Sequence, residues 1–567
     1  MLSKKEKIVY GLVATIFMFL QLVCRTLEVK GNIEWNIKIV LVCLAISILF
    51  AVLCLVAVWL VQKYKPKFSG KPTEITKKTA GGKLFFLSWG LIFVCWIPYF
   101  LAYYPGILAY DSYIQIGQIV NDAYNNHHPL IHTFTIGVFL KIGEALGSAN
   151  LGVGLYTLTQ MLCLSATMAA GVLLLAKKGV KRIWLGLVVL YCALCPVNGY
   201  LAVSMTKDVF FTVFVLLFAF VVLHILEGGK QHFLWDLAYV LVTVLMILFR
   251  NNGKYALLAF LGLYALLYFG EFLVGKRKKE ALDKEELKEK RVRALRLAGG
   301  AVVSLVLSSV ILSGFNRSVS AQEGDKREML SIPIQQIARC MVYHGGLELV
   351  ENGDDTISAQ DKALIDEFIL YNGYLNYDPL ISDPVKSCTN TWVVVNKMKE
   401  FVSMYLGLAA DYPGEYVNAF LAVNGGYLSV LDESHAQVNL NEGIEGLGYI
   451  QTRWEEASLN PVGIYKDSKW QGLYTALETF AGTNGYLEIP VLRNVIAPGA
   501  YFWCYLVLGI WAFFRREKKV LLPLFFVAGY YVTLLLGPTV QLRYLYPVML
   551  LLPFVYLYTL YSKKIRA

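Results

Sequence analysis

The side chains of this 567-residue chain that could do chemistry lie in four short polar segments, each bordered by long apolar runs. They comprise two carboxylates, one of them shortly after a Pro-Gly pair, together with two adjacent histidines, three cations and several amides. Placing a charged group within a membrane costs free energy, and such groups commonly mark functional sites. We therefore interpret the four segments as parts of one site. The candidate residues are Asp111, Gln115, His127, His128, Lys207, Asp208, Arg250, Asn251, Asn252 and Arg543.

Each candidate also has a simpler structural interpretation. Asp111 could cap a helix by accepting backbone N–H bonds, and Lys207 could form a local ion pair with Asp208 at a helix start. Arg250 could extend from a helix end to lipid headgroups, and His127-His128-Pro129 could form a turn. Taken together, however, the segments place several cations beside a carboxylate on one predicted side of the chain. This combination indicates a negatively charged ligand.

The elements that must position these residues are membrane spans. The chain is 57% hydrophobic and only 16% charged, with a mean hydropathy of +0.52, which excludes an ordinary soluble protein. Several uncharged apolar runs reach the roughly 18 to 20 residues that cross a bilayer. We therefore predict an all-α polytopic membrane protein with about twelve transmembrane helices. The runs cover residues 9–24, 39–62, 84–104, 150–176, 183–203, 209–226, 237–249, 255–270, 297–314, 497–514, 520–537 and 544–561.

Changes in composition divide the chain into three parts. We predict a membrane domain over residues 1–314, with nine spans and a first outer loop, 105–149, that contains helices near the membrane surface. One of these, at about 129–145, is short and charged, and we interpret it as an interfacial or re-entrant helix. Residues 315–496 are typical of a mostly helical soluble domain, and 497–567 form a C-terminal membrane part with three spans. The soluble domain contains Cys340 and Cys388, and the sequence leaves open whether they form a disulfide.

The distribution of basic residues predicts the orientation of the chain. If the N-terminus lies in the cytoplasm, 32 of the 52 Lys and Arg residues fall in inner segments and 8 fall in short outer loops. Because Lys and Arg accumulate in short cytoplasmic loops, we predict that both termini lie inside a cytoplasmic (plasma) membrane and that 315–496 lies outside. That outer domain carries 24 acidic against 12 basic residues. The net charge of +11 is therefore a signal of topology and gives no indication of a nucleic-acid partner.

A sugar linked to polyprenyl phosphate fits the requirement for a negatively charged ligand at the outer membrane surface. Its phosphate would contact the cations Lys207, Arg250 and Arg543. Because a lipid phosphate leaves readily once its charge is matched, transfer of the sugar requires only one general base. Asp111 is the candidate base, and the acceptor would be a hydroxyl group on a cell-envelope glycan, lipid or protein.

The chain also resembles the C-type (GT-C fold) glycosyltransferases, and more closely an uncharacterised group of bacterial multi-pass proteins placed among them. The resemblance covers the membrane part, about two thirds of the chain. It implies a GT-C-like fold, inversion at the anomeric carbon, Asp111 as the catalytic base and Asp208 as support for the donor or for a metal. The residues that carry it are Pro105-Gly106, Asp111, Gln115, His127-His128-Pro129, Lys207-Asp208 and Arg250-Asn251-Asn252.

Two departures from the family pattern concern a metal. The chain has Asp111-Ser112 where many members have an acidic pair, and Lys207 directly precedes Asp208. A divalent metal held by Asp111 and Asp208 is therefore left open, and no other cofactor is implied.

Three other functions are compatible with the composition. An O-antigen-type polymerase or ligase would bind a lipid pyrophosphate with basic residues at the same surface. A transporter or flippase of lipid-linked saccharides would place charged residues on broken helices at mid-membrane and often contains inverted repeats. In this chain the candidate groups lie at the ends of spans, and no repeat is visible. The third alternative is a non-catalytic envelope protein.

The orientation can be tested by labelling with a membrane-impermeant thiol reagent in intact cells. A cysteine at Ser358 should be labelled above the level of the parent protein, because residues 315–496 are expected outside. A cysteine at Ala281 should stay unlabelled until the cells are opened. Labelling of the Ala281 variant in intact cells would contradict the orientation.

Overall fold

The computed structural model describes residues 2–63, 78–108, 110–227, 233–278, 284–347, 349–350, 353–431, 462–483 and 485–561. Within these ranges the chain folds into helices joined by turns and isolated β-bridges, with no strand. The all-helical character predicted from the sequence is therefore confirmed for the described residues.

The first twelve helices contain most of the apolar runs. They are α1 (Lys4–Lys30), α2 (Ile37–Lys63), α3 (Lys78–Ala102), α4 (Tyr110–Val120), α5 (Leu130–Ala145), α6 (Ala149–Lys177), α7 (Arg182–Leu194), α8 (Pro196–Ala202), α9 (Lys207–Glu227), α10 (Phe233–Phe249), α11 (Asn251–Lys278) and α12 (Lys284–Ser318).

Shorter helices follow, and three apolar helices end the chain. They are α13 (Ser331–His344), α14 (Ala359–Phe368), α15 (Asp383–Ser387), α16 (Thr391–Asn396), α17 (Met398–Asp411), α18 (Pro413–Leu428), α19 (Gln471–Gly482), α20 (Pro490–Ile496), α21 (Pro498–Phe514), α22 (Lys518–Leu535) and α23 (Leu542–Tyr561). Short 3₁₀ segments cover Lys326–Leu330, Leu370–Asn376 and Gly485–Glu488, and the second is interrupted by left-handed residues at Tyr371 and Asn372.

Eight helices are long and apolar enough to cross a membrane, namely α1, α2, α3, α6, α9, α11, α12 and α23. Two further pairs of helices reach this length and apolar character when each bent pair is taken as one span, with bends of 53° between α7 and α8 and 68° between α20 and α21. The helices α10 and α22 are apolar but shorter. The described part of the chain is thus a polytopic helical membrane protein with eight to ten spans by length. The count of twelve spans stays a prediction, although each predicted run coincides with one of these helices or bent pairs.

Both bends have the same local cause. The second helix of each pair begins with a proline, Pro196 in α8 and Pro498 in α21. Proline has no N–H to continue the preceding helix, whereas its fixed φ suits the first helical turn. A new helix axis therefore starts at each proline.

Helix α9 lies at the centre of the main hydrophobic core. Over the most apolar stretch of 18 residues in each helix, 83% of the residues of α9 are buried inside the protein, against 11% in α2. A membrane helix as exposed as α2 must present its apolar side chains to lipid. The N-terminal end of α9, which carries Lys207 and Asp208, is therefore surrounded by other helices.

A second, separate core lies within the 315–496 segment. It is formed by apolar side chains between Ile334 and Tyr416, from helices α13 to α18. Later residues of the same segment, including Ile464, Tyr486 and Ile496, belong to the main core instead. The 315–496 segment thus contains a small helical unit with its own core and a later stretch that packs on the apolar helices.

Arg339 of α13 ties this small unit to the first helical hairpin. The residue is 1% exposed, and its Nε donates to Glu415 Oε2 at 2.6 Å. Its Nη2 donates to Gly31 O at 3.0 Å and to Asn32 Oδ1 at 2.9 Å, directly after α1. Its Nη1 donates to the hydroxyl of Tyr377 at 3.1 Å. The guanidinium therefore holds three parts of the chain together.

We expect Arg339→Ala to destabilise the protein by roughly 3 to 5 kcal/mol, because it leaves the buried carboxylate of Glu415 without a cation. Arg327→Ala is the matched control, since Arg327 is more exposed, pairs with the neighbouring carboxylate of Asp325 and otherwise donates to the backbone oxygen of Ser387. Denaturant unfolding of both variants in detergent measures the difference. Equal stability of the two variants would show that Arg339 is not a structural tie.

Candidate functional site

A pair of backbone hydrogen bonds brings the first two polar segments together. The N–H of Ile107 donates to Val203 O, and the N–H of Met205 donates to Ile107 O, both at 2.9 Å. Asp111 follows shortly after Ile107, and Lys207 follows shortly after Met205. The bridge therefore places these two charged residues side by side, although 96 residues separate them in sequence.

Gly106 permits this close approach. A Cβ at that position would lie 2.5 Å from Thr157 Oγ1 and 3.2 Å from Val203 O. Its φ of 156° is also one that other residues rarely adopt. The Oγ1 of Thr157 donates to Pro105 O at 2.9 Å and fixes the turn on α6. The Pro-Gly pair noted in the sequence thus has a defined structural role.

Asp111 is the centre of the site and lies in the first turn of α4. Its Oδ2 is 2.5 Å from the Nζ of Lys207 and 3.2 Å from the Nη1 of Arg543. Burial alone would raise the pKa of Asp111, but the positive charges of Lys207 and Arg543 hold it well below the ordinary value. The side chain is therefore an ionised carboxylate, paired with cations from α9 and α23.

Asp208 forms the second buried ion pair, with Arg250 at the end of α10. It is 1% exposed, and its Oδ2 lies 3.9 Å from the Nη1 of Arg543. Arg543 thus stands between the two carboxylates. The local Lys207–Asp208 pair considered from the sequence does not form, because Lys207 contacts Asp111 and Asp208 contacts Arg250.

The ring of Tyr544 lies close to two of the cations. The guanidinium carbons of Arg250 and Arg543 are 4.5 Å and 4.9 Å from its centroid. An aromatic face attracts cations and reduces their mutual repulsion, so Tyr544 allows two guanidinium groups to share one site. Sequence reasoning did not select this tyrosine, although it directly follows Arg543.

His128 is the third group beside Lys207. Its Nδ1 lies 3.3 Å from the Nζ of Lys207, and the residue is 3% exposed. Burial and the positive charge of Lys207 lower the pKa of His128 to about 3, so the ring is neutral. An ammonium group has only donors, hence Nδ1 accepts and the ring proton is on Nε2. His128 therefore presents a neutral N–H donor.

Several polar atoms of the site lie buried without a hydrogen-bond partner among the described residues. They are His128 Nε2, Thr206 Oγ1 and Asp208 Oδ2. Buried polar groups are nearly always satisfied in folded proteins, by water or a ligand where the protein supplies no partner. Their proximity to the ion pairs indicates that the site takes up a polar ligand or ordered water.

Gln115 lies on α4, one turn after Asp111, and forms hydrogen bonds with residues of α5. It donates to Thr133 Oγ1 at 2.9 Å, and its Oε1 is 2.8 Å from the Nδ1 of His132. The Nε2 of His132 is 2.7 Å from the hydroxyl of Tyr156. This buried chain joins α4, α5 and α6, and it supports the turn that carries Asp111. Neither His132 nor Tyr156 belongs to a recognisable sequence motif, and both lie within helices.

The remaining predicted residues make no direct contact with the two ion pairs. The ring of His127 packs against that of His128, with centroids 4.6 Å apart, on the exposed side of the site. Asn252 donates to Thr533 Oγ1 at 3.0 Å and links α11 to α22. Asn251 is exposed. These three residues border the site without forming its charged centre.

Two loops of the site are held by the 315–496 segment. Before His128, the N–H of Asn126 donates to Gln322 O at 3.0 Å. Before Arg543, the N–H of Ser382 donates to Pro538 O at 2.9 Å. The loop positions of the site therefore depend on the polar part of the chain as well as on the apolar helices.

A metal at the carboxylates would compete with cations of the protein. Among the residues that the structure describes, no group of three or more His, Cys, Asp or Glu side chains could hold a metal ion. Asp111 and Asp208 are each paired with a cation of the protein. A divalent ion at either carboxylate would have to displace Lys207 or Arg250.

The fold and site define a class: a polytopic helical membrane protein with a buried cluster of charged side chains where the ends of α4, α9, α10 and α23 meet. The chain belongs to the DUF6020 family, a family of unknown function, whose model matches residues 120–567. The match includes Lys207, Asp208, Arg250 and Arg543 and begins after Asp111. No curated protein and no solved structure matches the chain.

The neutral state of His128 predicts a pH dependence of stability. The unfolded residue takes up a proton near pH 6.5, whereas the native residue does so only near pH 3, so stability is lost as the pH falls below 6.5. At pH 5 the contribution of this residue amounts to about 2 kcal/mol. Unfolding in detergent at pH 7.5 and pH 5 should show a smaller loss in His128→Gln than in the wild type. An equal loss in both would contradict the neutral buried ring.

Proposed function

We propose that the protein is a glycosyltransferase that moves a sugar from a polyprenyl-phosphate donor to an acceptor hydroxyl at the outer face of the plasma membrane, with inversion. The observation that carries the proposal is the buried cluster of three cations and two carboxylates at the ends of apolar helices. In this proposal Asp111 is the general base, and Lys207, Arg250 and Arg543 bind the phosphate.

The charge of the cluster favours a ligand with one negative charge. Lys207, Arg250 and Arg543 carry three positive charges, while Asp111 and Asp208 carry two negative charges. The described side chains of the cluster therefore sum to one positive charge, and an uncompensated buried charge is costly. A sugar linked to polyprenyl monophosphate is a phosphodiester with a single negative charge, so it neutralises the cluster.

The net charge of the cluster also distinguishes a monophosphate donor from the pyrophosphate ligand of the polymerase or ligase alternative. A saccharide linked through pyrophosphate carries two negative charges and would leave the site with one negative charge in excess. The two arginines also suit a phosphate well, since a planar guanidinium can donate two parallel hydrogen bonds to its oxygens. The monophosphate donor is therefore the better match.

The depth of the cluster fits a lipid headgroup. Lys207 begins α9, Arg250 directly follows α10, and Arg543 lies in the first turn of α23, so the three cations lie at the ends of apolar helices. The phosphate of a bilayer lipid lies at such helix ends, and its chain can lie along the apolar faces. Assignment to the outer face rests on the distribution of Lys and Arg.

A transporter is less well supported by the position of the cluster. Alternating-access transporters bind their substrates at breaks within spanning helices near mid-membrane. The two bent pairs of this chain are α7 with α8 and α20 with α21. Neither pair carries a charged residue of the cluster, which lies at helix ends instead.

The chemistry requires only groups that the chain supplies. The acceptor oxygen attacks the anomeric carbon and loses its proton to Asp111. The bond from that carbon to the phosphate oxygen breaks, and the electron pair leaves with the phosphate, whose growing charge the three cations stabilise. In related chemistry a divalent metal stabilises this growing charge. We propose that the three cations do so in this protein, so transfer should persist in the presence of a chelator.

Asp111→Asn tests the base. An amide keeps the shape of the carboxylate but cannot take up a proton, so we expect sugar transfer to fall by roughly 10² to 10⁴-fold. The assay uses membranes containing the protein, a panel of radiolabelled polyprenyl-phosphate sugars, and transfer of label to the envelope fraction. The donor should still bind to the variant.

The control is Asp354→Asn, which alters a half-exposed carboxylate of the 315–496 segment, remote from the cluster in sequence. It should transfer at the wild-type rate. Full activity of Asp111→Asn would remove the base from the proposal. Release of polyprenyl pyrophosphate rather than monophosphate during turnover would favour the polymerase or ligase alternative.

A further inference from the structure

The proposed base is not free to act in the structure. Both cations that contact Asp111 approach the same oxygen, Oδ2, with Lys207 at 2.5 Å and Arg543 at 3.2 Å. A carboxylate paired in this way is a poor proton acceptor, because protonation would leave the two cations without their counter-ion. Some event must therefore remove these cations from Asp111 before it can accept a proton.

We propose that binding of the donor phosphate is this event. The phosphate replaces Asp111 as the partner of Lys207 and Arg543, and this exchange of partners frees Asp111 to accept the proton of the acceptor. This inference rests on the proposed function and adds an order of events. The donor must bind first, and without it the site holds no active base.

The surroundings of the two cations make the exchange feasible. Arg543 Nη1 is also 3.9 Å from Asp208 Oδ2, so this guanidinium has a second carboxylate nearby. Lys207 Nζ lies 3.3 Å from His128 Nδ1, which can keep accepting from it on a flexible side chain. The other charged group of the cluster, Arg250, stays with Asp208. Each cation that leaves Asp111 therefore keeps a protein partner.

The charge of the cluster remains balanced throughout the step. With a bound phosphodiester, three cations face Asp111, Asp208 and one phosphate charge, which sums to zero. After transfer, Asp111 is neutral because it holds the acceptor proton, and the released polyprenyl phosphate carries two negative charges as a monoester. The sum is zero again. A low-dielectric site that is neutral before and after the reaction avoids the cost of a buried net charge.

Binding of a phosphate probe to Asp111→Asn tests the exchange. The probe is a short-chain polyprenyl methyl phosphate, a phosphodiester that keeps one negative charge near neutral pH. Because the variant lacks the carboxylate that competes for Lys207 and Arg543, we expect the probe to bind about 10- to 100-fold more tightly than to the wild type. Asp111→Ser, which also lacks the charge, should show the same direction of change and replaces the first variant if it does not fold.

The matched control is Asp236→Asn. Asp236 also pairs with an arginine, Arg296, at 2.7 Å, but it lies at the opposite end of α10 from Arg250, about 20 Å away along the helix. Its removal changes the net charge equally and should leave probe binding unchanged. The neutral polyprenol should bind equally to all variants, and inorganic phosphate shows whether the headgroup alone produces the gain.

The outcomes separate the exchange from the function on which it rests. Tighter binding of the probe in the Asp111 variants alone supports the exchange. Unchanged or weaker binding of the probe to the Asp111 variants overturns the exchange. If the probe nevertheless binds to the wild type, the assignment of a phosphodiester donor is retained. If no phosphodiester binds to the wild type, both the donor assignment and the exchange are wrong.

Discussion

The pairing of buried charge is the constraint on which the site depends. Charged groups at the ends of apolar helices lose much of their hydration, and the loss is tolerable only when opposite charges meet at hydrogen-bonding distance. Asp111 and Asp208 meet this requirement through Lys207, Arg543 and Arg250, each of which is distant in sequence from the carboxylate with which it pairs. The helix ends that carry these residues must therefore converge, and any large shift of one helix would leave a buried charge without its partner.

The structure fixes this convergence with short-range contacts near the charges. The backbone bridge between Ile107 and residues 203–205 aligns the segments before Asp111 and Lys207. The chain from Gln115 through His132 to Tyr156 secures α4 against α5 and α6. Because these groups are buried and satisfied, they give the charged side chains a rigid support.

The 315–496 segment has a structural part in the same site. It contacts the loop before His128 through Asn126 and the loop before Arg543 through Pro538. Through Arg339 it is also tied to the end of α1. The 315–496 segment and the apolar helices thus form one scaffold around the charged cluster, and the excess positive charge of that cluster is the property from which we propose an anionic ligand. An exchange of cations between a carboxylate and a phosphate would also confine base activity to the loaded site.

The sequence by itself determined the class of fold and the principal charged residues. Apolar runs and the uneven distribution of Lys and Arg are direct consequences of the bilayer, so they are visible without a structure. Asp111, Lys207, Asp208, Arg250 and Arg543 stood out for the same reason, since isolated charges between apolar runs are rare. Tertiary structure alone decided which charges pair: Lys207 contacts Asp111 across 96 residues, not the adjacent Asp208, and Arg543 contacts it across 432. Such pairing depends on how helices pack, which local sequence does not encode. For the same reason the sequence did not reveal the supporting positions of His132, Tyr156 and Tyr544. It also did not show that Asn251 and His127 lie at the periphery of the site.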